Sequence, residues 1–185
     1  DDEVNGLYQA KKIASFGKNI YVKIPIFFTN GKSTKSLISN AIEASVKINV
    51  TAIMSLNQIK EIHNIVKNTN SILSIFAGRI FDIGIDANIE MKKINNFVHK
   101  YSKCKTLWAS PRMSYDVINA INSRTDIITI PEEFVKKLKK FGISQNKYSI
   151  ETAKMFFADA KKSKYKIWAY FNLCSKILYI FLSFL

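Results

Sequence analysis

An α/β fold with a parallel sheet is predicted by three features of the chain: apolar runs of five to eight residues recur along it, helix-period segments separate them, and most of the runs do not alternate with polar residues. Strands apolar at nearly every position belong in a sheet covered on both faces, and a repeated strand-helix-strand order supplies the covering helices. With 185 residues and 48% hydrophobic content, the chain can bury one sizeable core, so a single main domain is expected.

The elements follow in order. Residues 3–16 read as a helix, and Asn19–Ile26, rich in Ile, Tyr and Val, reads as the first strand. A helix over Ser33–Ser45 leads to a strand at Ile48–Ile53, and a helix over Leu56–Lys67 leads to a strand at Ile72–Ala77. A helix over Ile89–Ser102, a strand at Thr106–Ser110, a helix over Tyr115–Ile121 and a strand at Asp126–Ile130 complete the alternation, and a further helix starts near Tyr148.

Polar residues interrupt these apolar runs at Lys23, Asn49, Thr51, Ser74 and Ser110. They are expected near the C-terminal ends of their strands, where α/β barrels and open parallel sheets carry their chemistry. Any one of them could serve a turn, as Asn, Ser and Thr often do. Their recurrence on four successive strands argues for a site. Asn49 and Thr51, two apart, project to one side of their strand while Val50 faces the helices.

Lys23 is the strongest candidate for covalent chemistry. It stands in the apolar run Tyr21-Val22-Lys23-Ile24-Pro25-Ile26, where burial is expected to disfavour the ammonium form and leave a free amine that can attack a carbonyl. The alternative is a strand lysine that snorkels into water.

Composition narrows the partners. The net charge of +14 suits an anion, but most of it is lysine spread over helix faces, with one cluster at Lys136, Lys137, Lys139 and Lys140. No aromatic-basic interleaving forms a stacking platform, so nucleic acid is not expected as a partner. Arginine occurs only at positions 79, 112 and 124. Arg79 and Arg112 directly follow predicted strands, where the planar guanidinium fork can hold a phosphate. The two histidines, His63 and His99, fall in helix-like stretches, and the two cysteines, Cys104 and Cys174, have no ligand spacing. Neither a metal site nor a cofactor is expected, and a reducing, cytoplasmic setting follows from the cysteine usage.

Four segments now bear comparison with a family. Val22-Lys23-Ile24-Pro25, Asn49-Val50-Thr51-Ala52, Ser74-Ile75-Phe76-Ala77-Gly78-Arg79-Ile80 and Trp108-Ala109-Ser110-Pro111-Arg112 resemble, in order, the strand motifs of transaldolases of the short bacterial type. The resemblance runs over residues 1–166 and includes the helix start Tyr148-Ser149-Ile150-Glu151-Thr152. It implies a partial (β/α)8 TIM barrel of the class I aldolase type with about five βα units, and transfer of a dihydroxyacetone unit between sugar phosphates in the pentose phosphate pathway. By the same resemblance Lys23 is the Schiff-base lysine, Asn49 and Ser74 hold hydroxyls of the dihydroxyacetone unit, and Thr51 helps to fix a water. Arg79, Arg112 and Ser110 match the phosphate site. Phe76 matches the transaldolase phenylalanine, where fructose 6-phosphate aldolases resemble one another in having tyrosine.

Two departures accompany the match. The family's barrel carries three βα units before the lysine strand, with an aspartate and a glutamate that share the proton transfers, and this chain begins after both. Asp1 and Asp2 resemble residues just beyond the third strand, so weak turnover by this chain alone is the expectation, as is poor solubility from open sheet edges. The second departure is the apolar tail, residues 167–185, which approaches the ~20 residues of a membrane span but carries Lys176 near its middle. Membrane contact, a helix docked on the barrel and translation outside the true gene end are its three readings. A homo-oligomer stays open. The alternatives to transaldolase are a fructose 6-phosphate aldolase-like enzyme and a non-catalytic phosphate-binding remnant.

Overall fold

Apolar strands followed by amphipathic helices recur through the computed structural model, which describes residues 2–163. The chain divides into two units, residues 1–139 and 140–185.

The first unit runs α1 (Glu3–Ala14), β1 (Val22–Pro25), α2 (Lys35–Glu43), β2 (Ile48–Ile53), α3 (Leu56–Val66), β3 (Ile72–Ile75), α4 (Ala77–Asp82), α5 (Ala87–Tyr101), β4 (Lys105–Trp108), α6 (Asp116–Asn122), β5 (Ile127–Ile128) and α7 (Glu132–Leu138). Its five strands form one parallel sheet in the order β1-β2-β3-β4-β5. Consecutive parallel strands joined by helices are the architecture of part of a (β/α)8 barrel.

Local chemistry sets the helix boundaries. Asp2 caps α1 by accepting from the Asn5 amide at 2.9 Å, and Asp86 caps α5 by accepting from the Asn88 amide at 2.8 Å. Ser55 and Gln58 form a capping box at the start of α3, the Gln58 side chain accepting from the Ser55 amide at 3.2 Å. The buried stripes have helical spacing: Ile59, Ile62 and Val66 on α3, and Met91, Ile94 and Val98 on α5. They meet one face of the sheet, to which Val22, Ile24, Ile48, Val50, Leu73, Ile75 and Trp108 contribute fully or nearly fully buried side chains.

The strands are shorter than the apolar runs suggest. The first begins at Val22 because Ile20 closes a turn onto Gly17, its amide donating to the Gly17 carbonyl at 3.2 Å. Pro25 is accommodated because, among the described residues, β1 pairs with β2 alone. The last strand shrinks to Ile127–Ile128. Two short helices of six and seven residues, α4 and α7, were not foreseen. In β2 the register against β3 slips between Val50 and Ile53, and Ala52 takes a φ of 59°, the mark of a bulge beside Thr51.

In the second unit, α8 (Gln145–Ser163) begins three residues before the expected helix start. The Thr152 hydroxyl donates to the Tyr148 carbonyl at 2.8 Å inside it. No helix among the described residues is long and apolar enough to cross a membrane. The tail of residues 167–185 lies outside the described residues.

Candidate active site

Alternation along the strands sorts the polar interruptions onto one face. Lys23 pairs in register with Asn49, Pro25 with Thr51, and Asn49 with Ile72, two residues before Ser74. Lys23, Asn49, Thr51 and Ser74 therefore share the face opposite the helix-covered one. They do not all lie at C-terminal strand ends, as expected from the sequence. Lys23 and Asn49 occupy the second positions of β1 and β2, so the row crosses the sheet at graded depth.

The row is tied across β2 and β3. The Ser74 hydroxyl donates to Asn49 Oδ1 at 2.6 Å, with both side chains buried. This bond fixes the Asn49 amide so that its NH2 group is the half left to meet another partner. Thr51 is 8% exposed and its Oγ1 has no hydrogen-bond partner among the described residues. A buried hydroxyl without a partner is costly, by about 1–3 kcal/mol, unless a water or ligand fills the gap.

Lys23 departs from its expected setting. The expectation was burial in an apolar run, but β1 has the pattern buried-exposed-buried-exposed, and Lys23 is exposed. Its apolar sequence neighbours Val22 and Ile24 turn to the core, which leaves the amine on the open side of the sheet. There it lines a groove with Asp2, Gln9, Phe27, Phe28 and Thr34. The Asp2 carboxylate is engaged by the Asn5 amide at 2.9 Å and the Asn5 side chain at 2.7 Å, so it serves as the cap of α1.

The cationic residues gather beyond the ends of β3 and β4. Phe76 follows β3 and caps α4, and the Arg79 guanidinium lies over the Phe76 ring at 5.6 Å from its centroid. Arg112 donates from Nη1 to Ser110 Oγ at 3.0 Å and to the Ser110 carbonyl at 3.3 Å. Its backbone amide donates to the buried carboxylate of Asp116 at 2.7 Å, which holds the turn after β4. Ser110 itself sits at φ 59°, a left-handed conformation that aims its hydroxyl back toward Arg112.

Two residues essential to this geometry were not singled out from the sequence. Gly78 is one: a Cβ there would lie 1.6 Å from the Ser110 carbonyl oxygen, so α4 and the end of β4 meet backbone to backbone. Asp82 is the other, its carboxylate taking Nε of Arg112 at 2.8 Å and Nη2 through a second, shorter bond. The hydrogen bond from Arg112 chiefly, with the charge of Arg79 assisting, holds the Asp82 carboxyl below the ordinary range, and Asp82 in turn raises Arg112. The i, i+3 spacing of Arg79 and Asp82 places them near each other on α4 but gives no sign of the partner Arg112. Among the described residues, no cluster of three or more His, Cys, Asp or Glu could hold a metal ion.

Comparison with known proteins bears on this arrangement. The sequence model of the Transaldolase/Fructose-6-phosphate aldolase family matches residues 1–173. Proteins named "Probable transaldolase" are similar to the chain: that of Parvibaculum lavamentivorans is 29% identical over 161 residues, 86% of this chain and 68% of that protein. Those of Nitrosopumilus maritimus and Bartonella henselae are 31% and 30% identical over 70% and 74% of this chain, which span 56% and 60% of their own lengths. With a family match across nearly its whole length, carried on a parallel five-stranded α/β sheet, the chain belongs to the transaldolase/fructose-6-phosphate aldolase family.

Proposed function

We propose that the chain carries the Schiff-base and phosphate-binding part of a transaldolase, moving a dihydroxyacetone unit from a ketose phosphate to an aldose phosphate in the pentose phosphate pathway of the cytoplasm. The observation that carries this reading is the single-face row of Lys23, Asn49 and Ser74 on three neighbouring strands, with Arg79 beyond the end of β3 and Ser110 and Arg112 beyond the end of β4.

In this reading the Lys23 amine adds to the ketose carbonyl carbon and water leaves, forming an imine. The bond between the α and β carbons of the protonated imine then breaks: its electron pair forms the enamine double bond as the C=N pair moves to nitrogen, the β-hydroxyl gives its proton to the bound water, and the β carbon departs as the aldehyde of the aldose phosphate. The enamine adds to the acceptor aldehyde, and water releases the product from Lys23. Asn49, fixed by Ser74, holds a hydroxyl of the three-carbon unit, and the unpaired Thr51 hydroxyl holds the water that carries protons. We assign no acid-base role to Asp2, which caps α1. Arg79, Arg112 and Ser110 take the terminal phosphate, and Phe76, in place of tyrosine, favours transfer over free aldol cleavage.

The test compares phosphorylated and unphosphorylated substrates. Arg79→Ala and Arg112→Ala should each weaken binding of a sugar phosphate by roughly ten- to a hundredfold, the worth of a charge-assisted hydrogen bond, and leave its unphosphorylated analogue nearly unchanged. Equal losses on both would make the arginines structural. Lys23→Arg should abolish turnover, because arginine stays protonated and cannot form the imine. Turnover retained by that variant would end the Schiff-base reading.

A further inference from the structure

We propose that Asp82 is a built-in competitor for the phosphate site: its carboxylate occupies the Arg112 fork until a phosphate displaces it, and so limits how tightly phosphate is held. This rests on the reading that Arg112 and Arg79 bind phosphate.

The geometry leaves little room for both anions. Arg112 has five N–H donors. Nη1 is committed to the hydroxyl and carbonyl of Ser110, while Nε and Nη2 grip the two oxygens of Asp82. The Nε/Nη2 edge is the one that matches two oxygens of a carboxylate or a phosphate side by side. A phosphate that takes the same edge must evict Asp82. Eviction is feasible because the pair is open to water, the side chains of Arg112 and Asp82 being 40% and 49% exposed, so water can solvate the carboxylate that a phosphate displaces. Asp82 also lies three residues after Arg79 on α4, close enough for that charge to act on it. Its negative charge therefore opposes an incoming anion at both arginines.

A unit charge about 5 Å from a bound anion, in a water-like dielectric, changes affinity about fourfold for a monoanion and about fifteenfold for a dianion. Removing Asp82's charge should tighten phosphate binding within that range. Neutralising Asp82 also loosens the side-on edge of the Arg112 fork, because asparagine keeps one carbonyl acceptor where the carboxylate had two.

The experiment titrates inorganic phosphate into the full 185-residue chain and its Asp82→Asn, Asp82→Glu, Arg112→Ala and Asp82→Asn/Arg112→Ala variants. Binding is read by calorimetry, and the fork by the Arg112 Nε–H resonance. Asp82→Asn should bind phosphate about four- to fifteenfold more tightly, with Asp82→Glu returning near the parent affinity. In the parent protein, phosphate should move the Nε–H resonance from its Asp82-bound position, and Asp82→Asn should show it already moved before phosphate is added. Unchanged or weaker binding by Asp82→Asn, where Arg112→Ala does weaken binding, would overturn the competitor role and leave the phosphate site intact. An equal gain with and without Arg112 would show that Asp82 acts by bulk charge rather than through the fork, which overturns the exchange. Phosphate affinity unaffected by Arg112→Ala would remove the phosphate-site reading and this proposal with it.

Discussion

Gly78→Ala should disrupt the candidate phosphate site from a position that donates nothing to it. The added Cβ would stand 1.6 Å from the Ser110 carbonyl oxygen, 2.8 Å from its carbonyl carbon and 3.2 Å from Cγ of Arg112. Side-chain carbons essentially never approach a neighbour within 3.0 Å, so α4 and the turn after β4 must part by about 1.4 Å. Both sides resist. The Ala109 amide donates to Ile75 at 2.8 Å and the Thr129 amide to Trp108 at 3.1 Å, while Ile80 is buried on α4. Overpacking of this kind costs about 1–3 kcal/mol, which for a chain of this size lowers Tm by about 2–12 °C. A displacement of that size also separates Arg112 from Asp82 or Ser110, and phosphate affinity should fall roughly tenfold or more. Gly84→Ala is the control: Gly84 has a φ of 77° but nothing within 4 Å, so it bears only the backbone cost of about 1–2 kcal/mol. Thermal unfolding by circular dichroism and phosphate titration of both variants decide the matter. If Gly78→Ala retains the phosphate affinity of Gly84→Ala, the backbone contact does not position the arginine and the reasoning fails.

Two further outcomes follow from groups away from the phosphate arm. Burial raises the Asp126 carboxyl, but hydrogen bonds from His99 at 3.0 Å and from the Thr106 amide and hydroxyl at 2.7 and 3.0 Å outweigh it and hold the group below its ordinary 3.8. A depressed carboxylate stabilises the fold above that value and loses its contribution as pH falls through the folded value, so the Tm gap between the parent and Asp126→Asn should be full at pH 6 and close below about pH 4. A gap that persists unchanged at pH 3 would contradict this. Ser74→Ala should destabilise by about 1–3 kcal/mol in urea unfolding, because it leaves Asn49 Oδ1 buried and without its donor. A neutral result would mean that Asn49 finds another partner.

The strands and most of the site face were legible because the first three apolar runs carry their polar residues at positions that alternation assigns to one side, whereas Ser110 lies beyond the end of β4. Asn49 and Ser74 were identified that way, and their mutual hydrogen bond follows from adjacent strands in register. Lys23 was identified as well, but its environment was misread: apolar neighbours at i±1 point to the other face and do not decide burial, and Lys23 on β1, at the end of the strand order, is exposed although Asn49 and Ser74 on the same face are buried. What was not legible depends on tertiary approach. Gly78 could be seen as a glycine, but the 1.6 Å contact that requires it exists only where α4 meets the end of β4. Asp82 and Arg112 are thirty residues apart, so their pairing had no local signature. The bulge at Ala52, with its positive φ, likewise arises from a register slip between β2 and β3.

Whether Lys23 is the nucleophile is decided by trapping. The 185-residue chain is incubated with dihydroxyacetone, reduced with borohydride, digested and mapped by mass spectrometry, alongside Lys23→Arg. A reduced adduct is expected on the peptide containing Lys23 and should be absent from the variant. A Lys23 peptide left unmodified while another of the many lysines carries the adduct would contradict it.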